Sequence, residues 1–198
     1  MKILAAADIH GDISTAKKLA EKAKKENASL VILCGDITSE HNAEEIIEEF
    51  IKKEKKVLII PGNWDSFATT DFLADFFGVK NIHGYSVKYE DIGIFGCGGA
   101  DIGPLTRLTE REIFDTLKKG FDKISYLKKK IMVTHMHPSQ SKAEFSGISG
   151  SSSIKKAIEE FKPDLLLCGH IHEAEGIEEK IGRTKVFNVG KEGKIIEI

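Results

Sequence analysis

Apolar runs alternate with segments of helical periodicity along the first half of the chain. The pattern predicts strands at Lys2–Ala7, Leu30–Cys34 and Val57–Ile60, and amphipathic helices at Ser14–Glu26, capped by Ser14, and at Ala43–Lys53. Leu30–Cys34 is apolar at every position, as expected for a strand with both faces buried. Strands that alternate with helices are typical of parallel pairing through right-handed crossovers. The first half therefore predicts an α/β protein.

The second half of the chain is less regular. It predicts helices at Asp71–Phe77, Glu110–Lys119 and Ser153–Phe161, a hairpin of Val87–Tyr89 with Ile92–Phe95, and strands at Lys130–Thr134 and Leu165–Cys168. The tail predicts short antiparallel strands at Gly176–Lys180, Lys185–Val189 and Lys194–Ile198. Because no repeat, low-complexity tract or linker interrupts the chain, residues 1–198 are expected to form a single domain.

Charge and cysteine content narrow the partners and the compartment. The net charge is −2, so no overall positive field draws the protein to nucleic acid or to an anionic membrane. The opening apolar run is too short for a secretion signal, and no segment approaches the ~20 apolar residues of a membrane span. Cys34, Cys97 and Cys168 lie in apolar stretches, as expected for free thiols in a reducing compartment. We expect a cytoplasmic protein with no membrane partner, and nucleic acid is not an expected partner.

Polar side chains follow five of the apolar strands, at the point where each strand ends. They are Asp8 and His10, Asp36, Asn63, His135, and His170 and His172. Functional loops gather at the carboxyl ends of strands in α/β sheets, so these side chains should converge. Carboxylate oxygen with imidazole nitrogen suits manganese, iron, zinc or nickel rather than calcium. Seven ligands are too many for one tetrahedral ion and fit two, with Asp36 as the bridge because a carboxylate has an oxygen for each ion.

The same residues form a series of ordered motifs. They read Asp8-Ile9-His10, Gly35-Asp36, Gly62-Asn63-Trp64-Asp65, an isolated His135 and Gly169-His170-Ile171-His172. In this order they resemble the calcineurin-like metallophosphoesterase family, whose pattern is D-x-H, G-D, G-N-H-[DE], H and G-H-x-H. The resemblance covers residues 3 to about 190. Any one of these motifs is weak, and five in order are specific.

The resemblance implies a fold, a metal set and a reaction. The fold is a four-layer α/β/β/α sandwich of two mixed sheets flanked by helices. The first metal takes Asp8, His10, Asp36 and His172, and the second takes Asp36, Asn63, His135 and His170. Two divalent ions per chain are expected, with manganese first and iron, zinc or nickel as alternatives. The implied activity is hydrolysis of small phosphomonoesters or phosphodiesters by in-line attack of a hydroxide held between two metals.

One position departs from the family pattern. In most of the family a His follows the Asn and supplies or organises the proton for the leaving group, whereas this chain has Trp64. The candidate catalytic residues are therefore Asn63, Asp65 and His137, the last as a relocated acid. A positioned general acid is worth about 10²–10⁴-fold, so we expect aryl esters and phosphodiesters to be preferred over alkyl monoesters. We expect the indole to fill the gap left by the His rather than to stack on a substrate.

Two other functions remain open. A scaffold that keeps the fold and binds partners without turnover would explain Trp64, but it has no need for a complete ligand set. A nuclease is weaker still, because the chain has no evident nucleic-acid domain and no net positive charge. A homo-oligomer is possible for either function, and Phe72, Phe76 and Phe77 are expected in the core or in a dimer contact.

Four further interpretations concern single residues and one loop. Asp12 is expected to cap the following helix rather than to bond a ligand histidine. His41 and His83 are expected to be solvated. The Gly147–Ser153 stretch has two equal interpretations: backbone N–H groups that bind phosphate at a helix start, or a flexible loop with a Ser cap.

Overall fold

The computed structural model of the protein describes residues 1–39 and 42–198 and contains two sheets. The first sheet has the order β11-β1-β2-β3-β4, and the second has the order β5-β6-β7-β8-β10-β9. The strands are β1 (Lys2–Ala6), β2 (Leu30–Cys34), β3 (Lys56–Ile60), β4 (Lys80–Asn81), β5 (Ser86–Tyr89), β6 (Ile92–Cys97), β7 (Lys129–Thr134), β8 (Leu165–Cys168), β9 (Glu178–Ile181), β10 (Thr184–Asn188) and β11 (Lys194–Glu197). His41 lies outside the described residues. Within the described ranges, no helix is long and apolar enough to cross a membrane.

The two sheets pack face to face over an apolar layer. The side chains of β2 alternate between its two faces. Leu30, Ile32 and Cys34 point into the layer between the sheets, and Val31 and Leu33 point to the opposite face. The layer between the sheets is completed by alternate residues of β1, β3, β6, β7 and β8. Burial on both faces of β2 is what its unbroken apolar sequence predicts.

Five helices cover the outer faces of the sheets. They are α1 (Ile13–Lys25), α2 (Ala43–Ile51), α3 (Phe67–Phe77), α4 (Glu110–Asp122) and α5 (Ser152–Phe161). The first three pack on the first sheet, and α4 and α5 pack on the second. The four-layer α/β/β/α arrangement of two mixed sheets is confirmed.

Two helix starts differ from the sequence prediction. Asp12, not Ser14, caps α1: its carboxylate accepts hydrogen bonds from the backbone N–H groups of Ser14 and Thr15 at 2.9 and 3.2 Å. The capping role expected for Asp12 is confirmed. Helix α3 begins four residues earlier than predicted, because Ser66 caps it through the Thr69 N–H at 2.9 Å.

The tail does not form one antiparallel sheet. Strand β10 pairs parallel to β8 and antiparallel to β9, and β11 crosses to the other sheet, where it pairs antiparallel to β1. The predicted antiparallel pairing is confirmed for β9 with β10 and for β11 with β1, and the parallel pairing of β10 with β8 departs from it. Strand β11 joins the other sheet because the open edge of β1 offers it unpaired backbone groups and an apolar face.

The phenylalanines of α3 and His83 test two further predictions. Phe77 packs against the core, as expected. Phe72 and Phe76 stack with ring centroids 5.5 Å apart and are 48% and 63% exposed, so they are not in the core, and their part in a dimer contact stays a prediction. His83 is not solvated: Nδ1 accepts the Gly98 N–H at 3.0 Å, and the ring packs edge-on against Phe67. Burial lowers the pKa of His83 to about 4.

Candidate metal centre

The seven predicted ligands all lie at one edge of the sandwich. Strands β1, β2 and β3 are parallel neighbours, and so are β7 and β8. Their carboxyl ends are followed by the ligand positions Asp8 and His10, Asp36, Asn63, His135, and His170 and His172. The five polar strand ends therefore meet as the sequence predicts.

The backbone at this edge is strained. Four of the seven positions have left-handed φ angles: Asp8 at 58°, His10 at 48°, Asp36 at 50° and His170 at 74°. Each such conformation costs a non-glycine residue about 1 kcal/mol or more, and it persists only where the surroundings impose it. Clustering of this strain on the ligand positions shows that the loops are shaped to aim these side chains.

Close backbone approach explains two of the glycines. A Cβ on Gly35, whose φ is +91°, would lie 2.5 Å from His135 Nδ1. A Cβ on Gly62 would overlap the Asp36 carboxylate. Only glycine lets the loops after β2 and β3 pass this close to the ligand side chains.

One group of donor atoms contains Asp8, His10 and His172. Their ligand atoms lie within 4.8 Å of one another, with His10 Nε2 3.2 Å from His172 Nε2 and His172 Nε2 3.9 Å from Asp8 Oδ1. The Asp8 carboxylate also accepts the backbone N–H of His170 at 3.1 Å, which ties the loop after β8 to the loop after β1. Burial raises the pKa of Asp8.

A second group surrounds Asn63. Its Oδ1 lies 2.8 Å from His135 Nε2 and 3.0 Å from His170 Nδ1. His135 Nδ1 donates to the backbone carbonyl of Cys34 at 2.9 Å, so Nε2 is the ring nitrogen that faces the cluster. An amide oxygen and two imidazole nitrogens thus point at one place.

Asp36 lies between the two groups. Its Oδ2 is 3.7 Å from His10 Nε2 and 3.4 Å from His135 Nε2, whereas its Oδ1 accepts the Trp64 backbone N–H at 2.8 Å. One oxygen therefore faces both groups. This differs from the expectation of one oxygen per ion, because the Trp64 N–H occupies the other oxygen.

The charge balance fits divalent cations. Asp8 and Asp36 are only 7% and 2% exposed, and over residues 1–39 and 42–198 their ion-pair partners are imidazoles alone. Buried carboxylates without Lys or Arg need a cation or a proton.

Burial alone would lower the pKa of His135, but Asp36 raises it to about 9. Burial and His135 together lower the pKa of His170 to about 3. The oxygen and imidazole donors suit the borderline metals predicted from the sequence.

The structure places Asp65 away from solvent, behind the ligand loops. It is 1% exposed, and its carboxylate accepts hydrogen bonds from Ile37 N, Thr38 N, Thr38 Oγ1 and Gly62 N at 2.6–3.0 Å. These contacts join the loops after β2 and β3. They give Asp65 a structural role, and its part in proton transfer stays a prediction.

His137 is also buried, beside the ligand His170. Its ring stacks on the His170 ring with centroids 6.5 Å apart, and neither ring nitrogen has a hydrogen-bond partner among the described residues. Burial lowers the pKa of His137. His137 does not line the cleft described next, so its role as a relocated acid stays a prediction.

A cleft of about 390 Å³ opens over the donor atoms. Five ligands (His10, Asp36, Asn63, His170 and His172) form its floor, and Trp64, Ile148, Ile171 and Glu173 form its walls. Trp64 is 56% exposed, so the expectation that the indole fills a gap was wrong. The sequence analysis also missed Ile148 and Glu173. Only the position of Glu173 directly after the last motif could have drawn attention to it.

The loop before α5 does not bind phosphate through the helix start. The Glu110 carboxylate accepts hydrogen bonds there from Ser151 Oγ, Ser152 Oγ and Ser153 N at 2.5–3.0 Å. Ser151 caps the helix through the Ile154 N–H at 3.1 Å. The Glu110 carboxylate therefore occupies the position that an anion would take, and the Ser cap is confirmed. The flexibility expected for the loop stays a prediction.

The fold and the donor cluster define an α/β protein with a carboxylate–imidazole cluster that could hold metal at the carboxyl ends of its strands. A family model described as a calcineurin-like phosphoesterase superfamily domain matches residues 1–195. The chain therefore belongs to the calcineurin-like phosphoesterase superfamily, as the motif order predicted.

Solved structures share the fold at low sequence identity. TT1561 of Thermus thermophilus matches with a TM-score of 0.78 and 19% identity over 96% of this chain and 88% of its own. A dimetal phosphatase from Danio rerio matches with a TM-score of 0.65 and 11% identity over 96% and 88%. A novel archaeal phosphodiesterase matches with a TM-score of 0.58 and 22% identity over 96% and 84%. A comparison with curated proteins finds no match.

Proposed function

We propose that the protein is a divalent-metal-dependent phosphoesterase that hydrolyses small phosphomonoesters or phosphodiesters at a dinuclear site. The observation that carries this proposal is the convergence of seven donor side chains from five strand ends, four of them in left-handed conformations. Folding strain of this kind needs a compensating function. The family membership and a fold shared with a dimetal phosphatase and a phosphodiesterase support it.

Each side chain has a defined part in the proposed site. Asp8, His10 and His172 would hold one ion, Asn63, His135 and His170 would hold the other, and Asp36, whose Oδ2 faces both groups, would contribute to both. Two bound divalent ions would lower the pKa of a water and neutralise the phosphate oxygens during in-line displacement. The Cys34 carbonyl fixes the His135 ring, and the Trp64 N–H fixes the Asp36 carboxylate. We propose manganese as the first choice among manganese, iron, zinc and nickel.

The side chains around the cleft provide little proton donation to the leaving group. Apart from the metal ligands, the described side chains that line it are Trp64, Ile148, Ile171 and Glu173. Indole and isoleucine cannot donate a proton near neutrality, so three of these four side chains cannot act as a general acid. We therefore propose that aryl esters and phosphodiesters with stable leaving anions are turned over faster than alkyl monoesters.

A catalytically weak metal-binding scaffold is the second candidate, and Trp64 at the proton-donor position is the observation that favours it. The strained, complete ligand set argues against it, because a partner-binding protein has no use for this strain. The buried free thiols of Cys34, Cys97 and Cys168 support a cytoplasmic location for either candidate.

Metal analysis combined with a substrate panel tests the proposal. The purified protein is loaded separately with manganese, nickel, zinc and magnesium, and is assayed on bis(p-nitrophenyl) phosphate, p-nitrophenyl phosphate, cyclic nucleotides and glycerol phosphate. We expect hydrolysis of the aryl esters that a chelator abolishes, with the alkyl monoester slower by about 10²-fold or more. Bound metal without hydrolysis of any ester would instead favour the scaffold.

A further inference from the structure

The only tryptophan of the chain is held in the wall of the metal-centre cleft. Its backbone N–H donates to Asp36 Oδ1 at 2.8 Å. Its ring meets the His10 ring edge to face, with centroids 6.5 Å apart and planes at 81°. The side chain is nevertheless 56% exposed. A large apolar ring fixed beside reacting groups and left open to solvent is a typical ligand contact.

The wall around Trp64 is mainly apolar. Ile148 and Ile171 line the same cleft, and of the described residues that line it none is Lys or Arg. Glu173 adds a carboxylate. This wall adds no binding affinity for a phosphomonoester dianion, because a nearby carboxylate repels its second negative charge. A phosphodiester carries a single negative charge, which the metal centre receives, and its substituent can lie against the apolar surface.

Ile148, which lines the cleft, is held in place by its loop. Ile148 follows Gly147, whose φ is +83°, and its N–H donates to Ser146 Oγ at 3.3 Å. The next turn is fixed by Gly150 N–H, which donates to Glu144 Oε1 at 2.9 Å. Ile148 is 38% exposed, so this loop presents a second apolar contact to the cleft.

A different cleft adjoins the other side of the donor cluster. It has a volume of about 340 Å³ and is lined by Asp8, Ile9, His10, Asp12, His172, Glu175, Gly190 and Lys191. His10 and His172 line both clefts. The first cleft thus offers Trp64, Ile148 and Ile171 beside the donor atoms, whereas the second, the polar cleft, offers Asp12, Glu175 and Lys191. The two clefts therefore suit a phosphate with two unlike substituents.

Building on the proposed phosphoesterase activity, we propose that the Trp64 cleft binds a planar aromatic group on one arm of a phosphodiester, stacked on the indole and covered by Ile148. Stacking favours a flat ring because the face of the indole meets the whole face of the ligand. A saturated ring of similar size buries apolar area without this contact. The second arm lies in the polar cleft beside Lys191.

Three inert phosphinates test the cleft without turnover. Methylphenylphosphinate, cyclohexyl(methyl)phosphinate and dimethylphosphinate each carry one negative charge and have no ester bond to break. We expect the phenyl ligand to bind the magnesium-loaded protein about 5- to 30-fold more tightly than the dimethyl ligand, with the cyclohexyl ligand between them. Calorimetry gives the affinities. Because Trp64 is the only tryptophan, protein fluorescence also reports directly whether the phenyl ligand contacts its ring.

Matched variants assign the preference to the ring. Trp64→Phe should retain part of the phenyl preference, and Trp64→Leu should remove it. Phe76→Leu changes an exposed aromatic residue on α3 and should leave the preference intact. Equal affinities for the phenyl and cyclohexyl ligands, or an unchanged preference in Trp64→Leu, would overturn the proposal.

The source of the ring can be resolved in the same system. Phenyl methylphosphonate and adenosine 5′-methylphosphonate are compared as competitive inhibitors in initial-rate assays with bis(p-nitrophenyl) phosphate. Tighter inhibition by the nucleoside ester, lost in Glu173→Gln, supports a nucleobase arm, and equal inhibition supports a simple aryl arm.

If all three phosphinates bind equally while aryl esters are still hydrolysed, the cleft proposal fails alone. If the phenyl ligand is preferred but no ester is hydrolysed, the proposed activity fails instead.

Discussion

Two polar clusters lie at the same edge of the sandwich and have different roles. In the donor cluster, the buried carboxylates of Asp8 and Asp36 face imidazole nitrogens at 3.4–3.9 Å. In the other, Glu110 clamps the start of α5 through three hydrogen bonds of 2.5–3.0 Å. The first cluster brings carboxylate oxygens and imidazole nitrogens together, with no Lys or Arg among their described ion-pair partners, whereas every contact of Glu110 joins an acceptor to a donor.

The difference shows how a binding site is distinguished from a structural contact. A cluster in which every acceptor has a donor stabilises the fold, since each charge-assisted hydrogen bond contributes about 1.5–3 kcal/mol. An unsatisfied cluster, held by strained backbone, costs stability until a ligand binds. Substitutions in the two clusters should therefore differ in activity and in the stabilisation that metal provides: both should be lost in the donor cluster, and both should be kept at Glu110.

Substitution in the donor cluster should have the largest effect. Asp36→Asn keeps the shape of the side chain and the bond from the Trp64 N–H but removes the charge that faces His10 and His135. We expect esterase activity to fall by at least about 10³-fold. The metal-free variant should melt at a lower temperature than the parent at neutral pH, because Asp36 raises the pKa of the buried His135 to about 9 and the substitution leaves that imidazolium without its counter-charge.

The melting curves also report on the metal. Metal ions should raise the melting temperature of the parent by mass action, and Asp36→Asn should lose most of this rise. Glu110→Gln serves as the matched control and should retain it. Full activity in Asp36→Asn would contradict the proposed site.

A buried histidine outside both clusters gives the next largest effect. Burial lowers the pKa of His83 to about 4 from an ordinary value of 6.5. Because the folded-state pKa is depressed, the stabilising contribution is complete above pH 6.5 and is lost as the pH falls from 6.5 towards 4. The loss should reach up to about 3 kcal/mol.

Urea unfolding of the metal-free protein at several pH values measures this loss. His83→Gln does not titrate in this range, so its unfolding free energy should fall less steeply between pH 6.5 and 4 than that of the parent. Parallel pH profiles for the parent and the variant would show that burial of His83 has no such effect.

The sequence predicted the donor cluster better than it predicted the cleft. Apolar runs such as Leu30–Cys34 predict buried strands at their observed bounds, and the ligand positions follow these strands directly. Each ligand depends mainly on its own strand end, so local pattern is sufficient to place it. The family motifs then supplied the pairing of ligands with metals, which strand order alone leaves open.

The cleft walls depend on contacts between distant segments. Ile148 reaches the metal centre through a loop between β7 and α5, and nothing in its local sequence specifies that position. The exposure of Trp64 likewise depends on how far neighbouring loops extend. Glu110 and the serines before α5 are about 40 residues apart in sequence, so their contact is a tertiary one that overrides the phosphate-loop interpretation.

The Glu110 clamp should contribute stability without activity. Its hydrogen bonds with the serines, Ser153 first, lower the pKa of Glu110 despite partial burial. Glu110→Gln should lower the free energy of unfolding by about 1–2 kcal/mol at neutral pH, and kcat on an aryl ester should be unchanged at temperatures where the variant is folded. Denaturant titration and initial rates measure the two quantities. A loss of activity without a loss of stability would place Glu110 in the catalytic site.

The smallest effect is expected at the proton-donor position. Trp64→His would restore the residue that most of the family has there, but Asp65 already accepts four hydrogen bonds from neighbouring loops and has little capacity to orient a new imidazole. The gain in kcat on glycerol phosphate should therefore be about tenfold, below the 10²–10⁴-fold that a well-positioned general acid supplies.

Trp64→Asn separates proton donation from the removal of bulk, because the amide is small and polar and does not titrate. If both variants gain equally, the indole obstructs alkyl esters sterically. If only Trp64→His gains, the missing acid is the deficit. No gain in either variant, with metal bound, would show that Trp64 does not limit alkyl ester hydrolysis and that its place in the cleft serves binding alone.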